Sequence, residues 1–209
     1  MPNSRDLLRS MLARKSFRLG EFKLSSGGSS DYYIDCRTTT LDAEGARLTG
    51  RVFLDLIESK KWKPKAIGGL TMGADPIVVA VAILTAQQAQ PGNAPPANSG
   101  DSSDSLIHGF LVRKQEKSHG TGQRIEGFRE KGTRVVIVDD VCTTGSSTIQ
   151  AIEAAREFGF EIAGVVCLVE REEAGGRAAV EKAAGAVEFV SLFKSSEIRA
   201  AHIVQRDRG

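Results

Sequence analysis

Residues Val135 to Thr148 read V-V-I-V-D-D-V-C-T-T-G-S-S-T. Val135, Val136, Ile137 and Val138 form an unbroken apolar, β-branched run, which suits an interior strand of a parallel sheet covered on both faces. Asp139 and Asp140 follow, then Thr143, Thr144, Gly145, Ser146, Ser147 and Thr148. Helical periodicity resumes at Ile149, Ile152, Ala155 and Phe158. The order is strand, acidic pair, small hydroxyl-rich loop, helix N-terminus. Unpaired N–H groups and a partial positive charge at that terminus, beside a glycine that permits close approach, make a phosphate site. A plain phosphate cradle excludes carboxylates from its rim. The acidic pair therefore points to a ligand carrying both phosphate and neutral hydroxyls, such as a ribose 5-phosphate, or to a hydrated Mg²⁺. The competing reading is that the two aspartates merely end a strand and cap a turn.

Upstream, residues 3 to 16 have the spacing of a short amphipathic helix, with Leu7, Leu8, Met11 and Leu12 on one face and Asn3 or Ser4 as cap. Residues 17 to 36 change to alternation, turn through Ser25-Ser26-Gly27-Gly28, and resume as D-Y-Y-I-D-C, a small antiparallel flap. Helical period returns over 42 to 59, with Leu48, Val52, Leu56 and Ile57 inward. Ala66 to Gly69 then form a short strand running into Leu70-Thr71-Met72-Gly73-Ala74-Asp75-Pro76, followed by a helix to about Gln88. This second strand–loop–helix unit offers N–H groups to a second anion, or is an ordinary turn. Residues 85 to 105 hold three of the six prolines and almost no large apolar side chain, a polar insertion rather than a boundary.

Residues 106 to 113 read as another core strand. Between 113 and 131, six Lys or Arg face three Glu, with glycines at 120, 122 and 127. Such a segment is either a solvated hairpin or a basic loop that closes over an anion. Ile162 to Val169 form a further buried strand ending in Glu170-Arg171-Glu172-Glu173, which places Arg171 at the ligand side of an open α/β sheet. There it can pair with a substrate carboxylate or with a surface acid. An alanine-rich helix over 174 to 184, a last strand from Val187 to Phe193 and a terminal helix complete the chain.

The 209 residues suffice for one α/β domain with an appended piece, and a formal charge of +2 argues against nucleic acid as the main partner. Three separated cysteines fit neither a disulfide framework nor a zinc site, and the N-terminus lacks an apolar core of signal-peptide length. The longest apolar run, Ile77 to Leu84, is too short to span a bilayer. These features lead to the expectation of a cytoplasmic protein with no membrane association. Neither G-x-G-x-x-G nor G-x-x-x-x-G-K-[ST] occurs.

V-V-I-V-D-D-V-C-T-T-G-S-S resembles the phosphoribosyl diphosphate (PRPP) motif of the type I phosphoribosyltransferases. F-K-L-S-S-G-x-x-S near the start, R-K-x-x-K-x-H-G from Arg113 and L-V-E-R-E-E from Leu168 narrow the resemblance to the orotate phosphoribosyltransferases. It extends over nearly the whole chain apart from 85 to 105. The resemblance implies a type I phosphoribosyltransferase fold: a mainly parallel sheet flanked by helices, with a small hood over residues 1–40 and a core over 41–209. It implies Mg²⁺-dependent transfer of ribose 5-phosphate from PRPP to orotate, a step of pyrimidine biosynthesis, in a homodimer. Val141, Cys142, Thr143, Thr144, Gly145, Ser146 and Ser147 would hold PRPP, with Asp139 and Asp140 on the ribose hydroxyls and the metal. Thr71 and Met72 would lie in the diphosphate loop. Arg113, Lys114, Lys117 and His119 would form the basic loop shared with the neighbouring subunit, with Lys117 or His119 able to protonate diphosphate. Arg171 and Thr143 would contact orotate, under a flap carrying Tyr32, Tyr33 and Ile34. Cys142 stands where an aliphatic residue is usual, and Ser25 and Met72 where many members have lysine. A purine phosphoribosyltransferase and a non-catalytic PRPP sensor are the alternatives on the same fold.

Overall fold

The computed structural model describes residues 3–23, 29–90, 106–114 and 124–207. Asn3 starts α1 (Ser4–Lys15) by accepting a 2.8 Å hydrogen bond from the Asp6 N–H, and the helix buries Leu8, Met11 and Leu12 as their spacing predicts. Leu7, by contrast, stays exposed. The flap follows as β1 (Phe17–Lys23) and β2 (Ser29–Ile34), antiparallel from Phe17↔Ile34 to Lys23↔Ser29. A four-residue helix, α2 (Arg37–Thr40), precedes α3 (Ala43–Ser59), which Asp42 caps through the N–H groups of Glu44 and Gly45. In α3, Leu48, Val52 and Ile57 are buried and Leu56 only partly so.

The main sheet contains β3 (Ala66–Leu70), β4 (His108–Val112), β5 (Ile125–Gly127), β6 (Arg134–Cys142), β7 (Glu161–Glu170) and β8 (Phe189–Lys194). Its strand order is β5-β4-β3-β6-β7-β8, parallel throughout except for the edge strand β5, which pairs antiparallel with β4. Helix α4 (Asp75–Gln88) connects β3 to β4, and α5 (Ser146–Phe158) connects β6 to β7. A single 3-10 turn (Glu172–Ala174) and α6 (Gly176–Ala184) join β7 to β8, and α7 (Ser195–Arg206) follows. The helix expected from residue 174 thus begins two residues later, after that turn.

β6 is the spine. Val136 and Val138 pack with α3 and α4 on one face; Val135 and Ile137 pack with α5 and α6 on the other. All four are fully buried, and complete burial of such a side chain contributes about 1.5–3 kcal/mol. α7 returns to α1, where Gln205 Nε2 donates to the Ser10 carbonyl at 3.0 Å. Among the described residues, no helix is long and apolar enough to cross a membrane.

Candidate active site

From β3 the chain winds toward β4, whereas from β6 it winds the opposite way, toward β7. The β3/β6 boundary is therefore the topological switch point, where open α/β sheets form their ligand crevice at the carboxyl ends of the strands. β3 and β6 pair only as far as Gly68↔Ile137 and then part. A cavity of about 710 Å³ opens there, walled by Leu70 to Gly73 at the end of β3, by Asp139, Asp140 and Val141 of β6 with Thr143 and Thr144 after it, by Tyr33 and Ile34 of the flap, and by Arg171 after β7. The size suits a small-molecule site.

Gly145 precedes α5 with φ 80°, a left-handed conformation that a side chain at this position would strain, and as the cap residue it offers no side-chain acceptor, leaving only a long 3.5 Å bond from the Ser146 N–H to Thr144 Oγ1. The first N–H groups of the helix stand at the cavity edge beside Thr144 and Ser147, which makes the terminus an anion cradle.

The strand does not stop before the acidic pair. β6 continues to Cys142 because β7 accompanies it to Glu170, so Asp139 and Asp140 are strand residues. Asp139 is buried; it accepts from Thr148 Oγ1 at 2.7 Å and from the Asp140 N–H at 3.0 Å. Burial, with the charge of Asp140 behind it, pushes the Asp139 carboxyl up to about 7. Burial also raises Asp140, against a bond from the Val141 N–H and the positive charge of Arg37. Gly73 makes this arrangement possible, since a Cβ there would lie 2.4 Å from Asp140 Oδ1.

Arg171 is only 8% exposed. Its guanidinium lies over the Tyr32 ring at 4.5 Å and donates to Tyr32 Oη at 2.9 Å, Ser30 Oγ at 3.0 Å and Glu173 Oε1 at 3.2 Å. Tyr32 in turn donates its hydroxyl hydrogen to Glu173. Burial raises the Tyr32 hydroxyl above its usual range, so it stays protonated.

Tyr33, Ile34, Thr71, Met72, Lys114, Asp139, Asp140, Val141, Thr143, Thr144, Ser147 and Arg171 all line this one cavity. Tyr32 does not: it is a core residue stacked on Phe17, with ring centroids 5.0 Å apart. Cys142 is buried beneath the loop, Ser146 is exposed, and Arg113 pairs with Glu126 at 2.9 Å. Lys117, His119 and Ser25 lie outside the described residues, as does 91–105 of the polar insertion. Lys23, Asp35 and Arg37 also line the cavity, unanticipated from sequence. Asp35 holds Arg37 through two 2.9 Å bonds that raise the Arg37 pKa. An acid and a base two residues apart directly after a flap strand were the available signal.

The phosphoribosyl transferase domain family matches residues 40–193. The orotate phosphoribosyltransferase of Aquifex aeolicus (strain VF5) is 40% identical over 197 residues, covering 93% of this chain and 97% of its own length. That of Streptomyces avermitilis is 42% identical over 185 residues, covering 88% and 92%. Among solved structures, Mycobacterium tuberculosis H37Rv orotate phosphoribosyltransferase in complex with Fe(III) dicitrate aligns with TM-score 0.72 at 33% identity, covering 94% of this chain and 99% of that one. The same enzyme in complex with PRPP aligns with TM-score 0.67 at 27% identity, covering 95% and 93%. An adenine phosphoribosyltransferase from Leishmania tarentolae, at 15% identity and TM-score 0.62, shares the fold. A family match over most of the chain, with relatives matched nearly end to end, leads to one conclusion: the chain belongs to the phosphoribosyltransferase family, and within it to the orotate phosphoribosyltransferases.

Proposed function

We propose that the protein transfers ribose 5-phosphate from PRPP to N1 of orotate, giving orotidine 5-phosphate and diphosphate. One observation carries this reading: a single cavity joins an anion cradle and an acidic pair on one side to a buried arginine on the other. The α5 N-terminus would bind the 5-phosphate, and Asp139 and Asp140 would accept from the ribose hydroxyls. Arg171 would take the orotate carboxylate, a group that purine bases lack. In the reaction the C1–O bond to diphosphate breaks with its electron pair leaving on the diphosphate oxygen, the C1–N1 bond forms, and the N1 proton passes to diphosphate or solvent. Positive character grows at C1 meanwhile, and the adjacent carboxylates favour it electrostatically. Thr71, Lys114 and, from their place in the sequence, Lys117 and His119 would face the diphosphate.

Mg²⁺ fits the acidic pair. Among the described residues no three His, Cys, Asp or Glu side chains converge as a cage. Two adjacent carboxylates destabilised by burial suit an ion that keeps several waters and completes its shell on substrate phosphates. When bound, it would neutralise negative charge on the diphosphate.

A homodimer is also proposed. α4 is apolar on more than its inward face: Val79 is 55% and Ile83 53% exposed, and Leu41 at 71% and Met72 at 62% line one groove with Asp75 and Pro76 at the start of α4. Exposed apolar side chains beside a site support a protein interface there. The test of function is loss of orotate absorbance with PRPP and Mg²⁺, with and without EDTA. Orotate that is never consumed under any of these conditions overturns the proposal.

A further inference from the structure

We infer that Glu173 is a positioning residue for base selection: it fixes the Arg171 guanidinium so that its Nη1 edge is left for the ligand. The inference rests on the proposed role of Arg171. A guanidinium has five N–H donors in a rigid fork. On Arg171, Nε donates to Tyr32 Oη and Glu173 Oε1, and Nη2 to Ser30 Oγ, with Glu173 Oε1 3.1 Å from Nη2 as well. Among the described residues Nη1 has no partner, and Arg171 borders the cavity. Nε–H and one Nη2–H are thus committed to hydrogen bonds within the protein, Glu173 also pairs with Nη2, and the Nη1 hydrogens remain for a carboxylate.

Glu173 sets the polarity of this cluster. Because its Oε1 takes the Tyr32 hydroxyl hydrogen, the tyrosine oxygen presents a lone pair to Arg171 Nε. Without that acceptor the hydroxyl is free to turn, and its hydrogen then opposes the cation. Glu173 is also the one carboxylate, among the described residues, bonded to Arg171; Ser30 and Tyr32 are neutral. Its Oε2 accepts from Ser195 Oγ at 3.3 Å, which fastens the 3-10 turn to the start of α7. The Glu173 side chain is itself 52% exposed. Replacing it removes little buried area, so its effect on Arg171 can be separated from an effect on folding.

The test compares Glu173→Ala, Glu173→Gln, Tyr32→Phe and Arg171→Ala in steady-state assays with orotate and PRPP varied separately. Losing a bond to a charged group should raise the orotate KM about tenfold in E173A, with the PRPP KM unchanged within about twofold. E173Q keeps an oxygen acceptor for Tyr32 and should recover to within about threefold of the parent, whereas Y32F should resemble E173A. An orotate KM unmoved in E173A, an E173Q no better than E173A, or a PRPP KM rising in step overturns the inference. R171A separates the two levels. If it leaves the orotate KM unchanged, the reading of Arg171 fails, and this inference with it; if R171A raises the KM and E173A does not, only the role of Glu173 fails.

Discussion

Replacing Asp139 with asparagine should make the ligand-free protein more stable at pH 8 while removing its activity. The carboxyl is raised from 3.8 to about 7 by burial and by Asp140. Between those values the folded protein keeps a proton that the unfolded chain has released. Stability is therefore full below pH 3.8 and falls as pH rises toward 7. The shift corresponds to about 4 kcal/mol. D139N carries no such charge. Its amide can still accept from the Asp140 N–H and can hydrogen-bond to Thr148, so the partners 3.0 and 2.7 Å away are kept. The stability difference between variant and parent should be near zero at pH 4 and reach about 2–4 kcal/mol in favour of D139N at pH 8. Urea denaturation in EDTA at several pH values measures it. A difference that is flat across pH, or that favours the parent at pH 8, would refute the reasoning. Phosphoribosyl transfer by D139N should meanwhile fall about 100-fold or more.

Lys117→Ala should cut turnover about tenfold or more with an unchanged melting temperature; equal turnover would sink its assignment to diphosphate. In Gly73→Ala the new methyl would sit 2.4 Å from Asp140 Oδ1, so activity should drop about tenfold while stability falls by only about 1 kcal/mol. An active G73A, or one that does not fold, contradicts this. Ile83→Glu places a charge on the exposed face of α4 and should shift sedimentation toward monomer; an unchanged sedimentation coefficient would place the interface elsewhere.

The legible parts of the fold were those with local causes. Four β-branched residues in a row announced β6, and the spacing of Leu48, Val52 and Ile57 announced α3. β5 has three residues and α2 four, too short for any periodicity to show. Two adjacent aspartates suggest the end of a strand, yet β7 extends the pairing to Cys142, a neighbour that local sequence does not reveal. The same holds within the cavity. Asp139, Thr143 and Arg171 lie in stretches with a readable pattern. Tyr32 was expected in the flap's covering surface, yet its bonds run to Glu173 and Arg171, separated by about 140 residues of chain. Nothing within a window of residues encodes that contact.

The two halves of the cavity stand on different foundations. Asp139 is part of a strand packed on both faces, so changes of side-chain size or packing on the phosphate side disturb the folding core. Arg171 is held by the flap and by the turn after β7, and there Ser30, Tyr33 and Glu173 are partly solvated. That division makes the enzyme modular under mutation. Under the proposed function, the accepted base can be altered by substitutions at the margin of the molecule while the sugar-phosphate chemistry is inherited intact. A library confined to the flap and to residues 171–174 should therefore retain folded, PRPP-competent members far more often than one confined to residues 135–148.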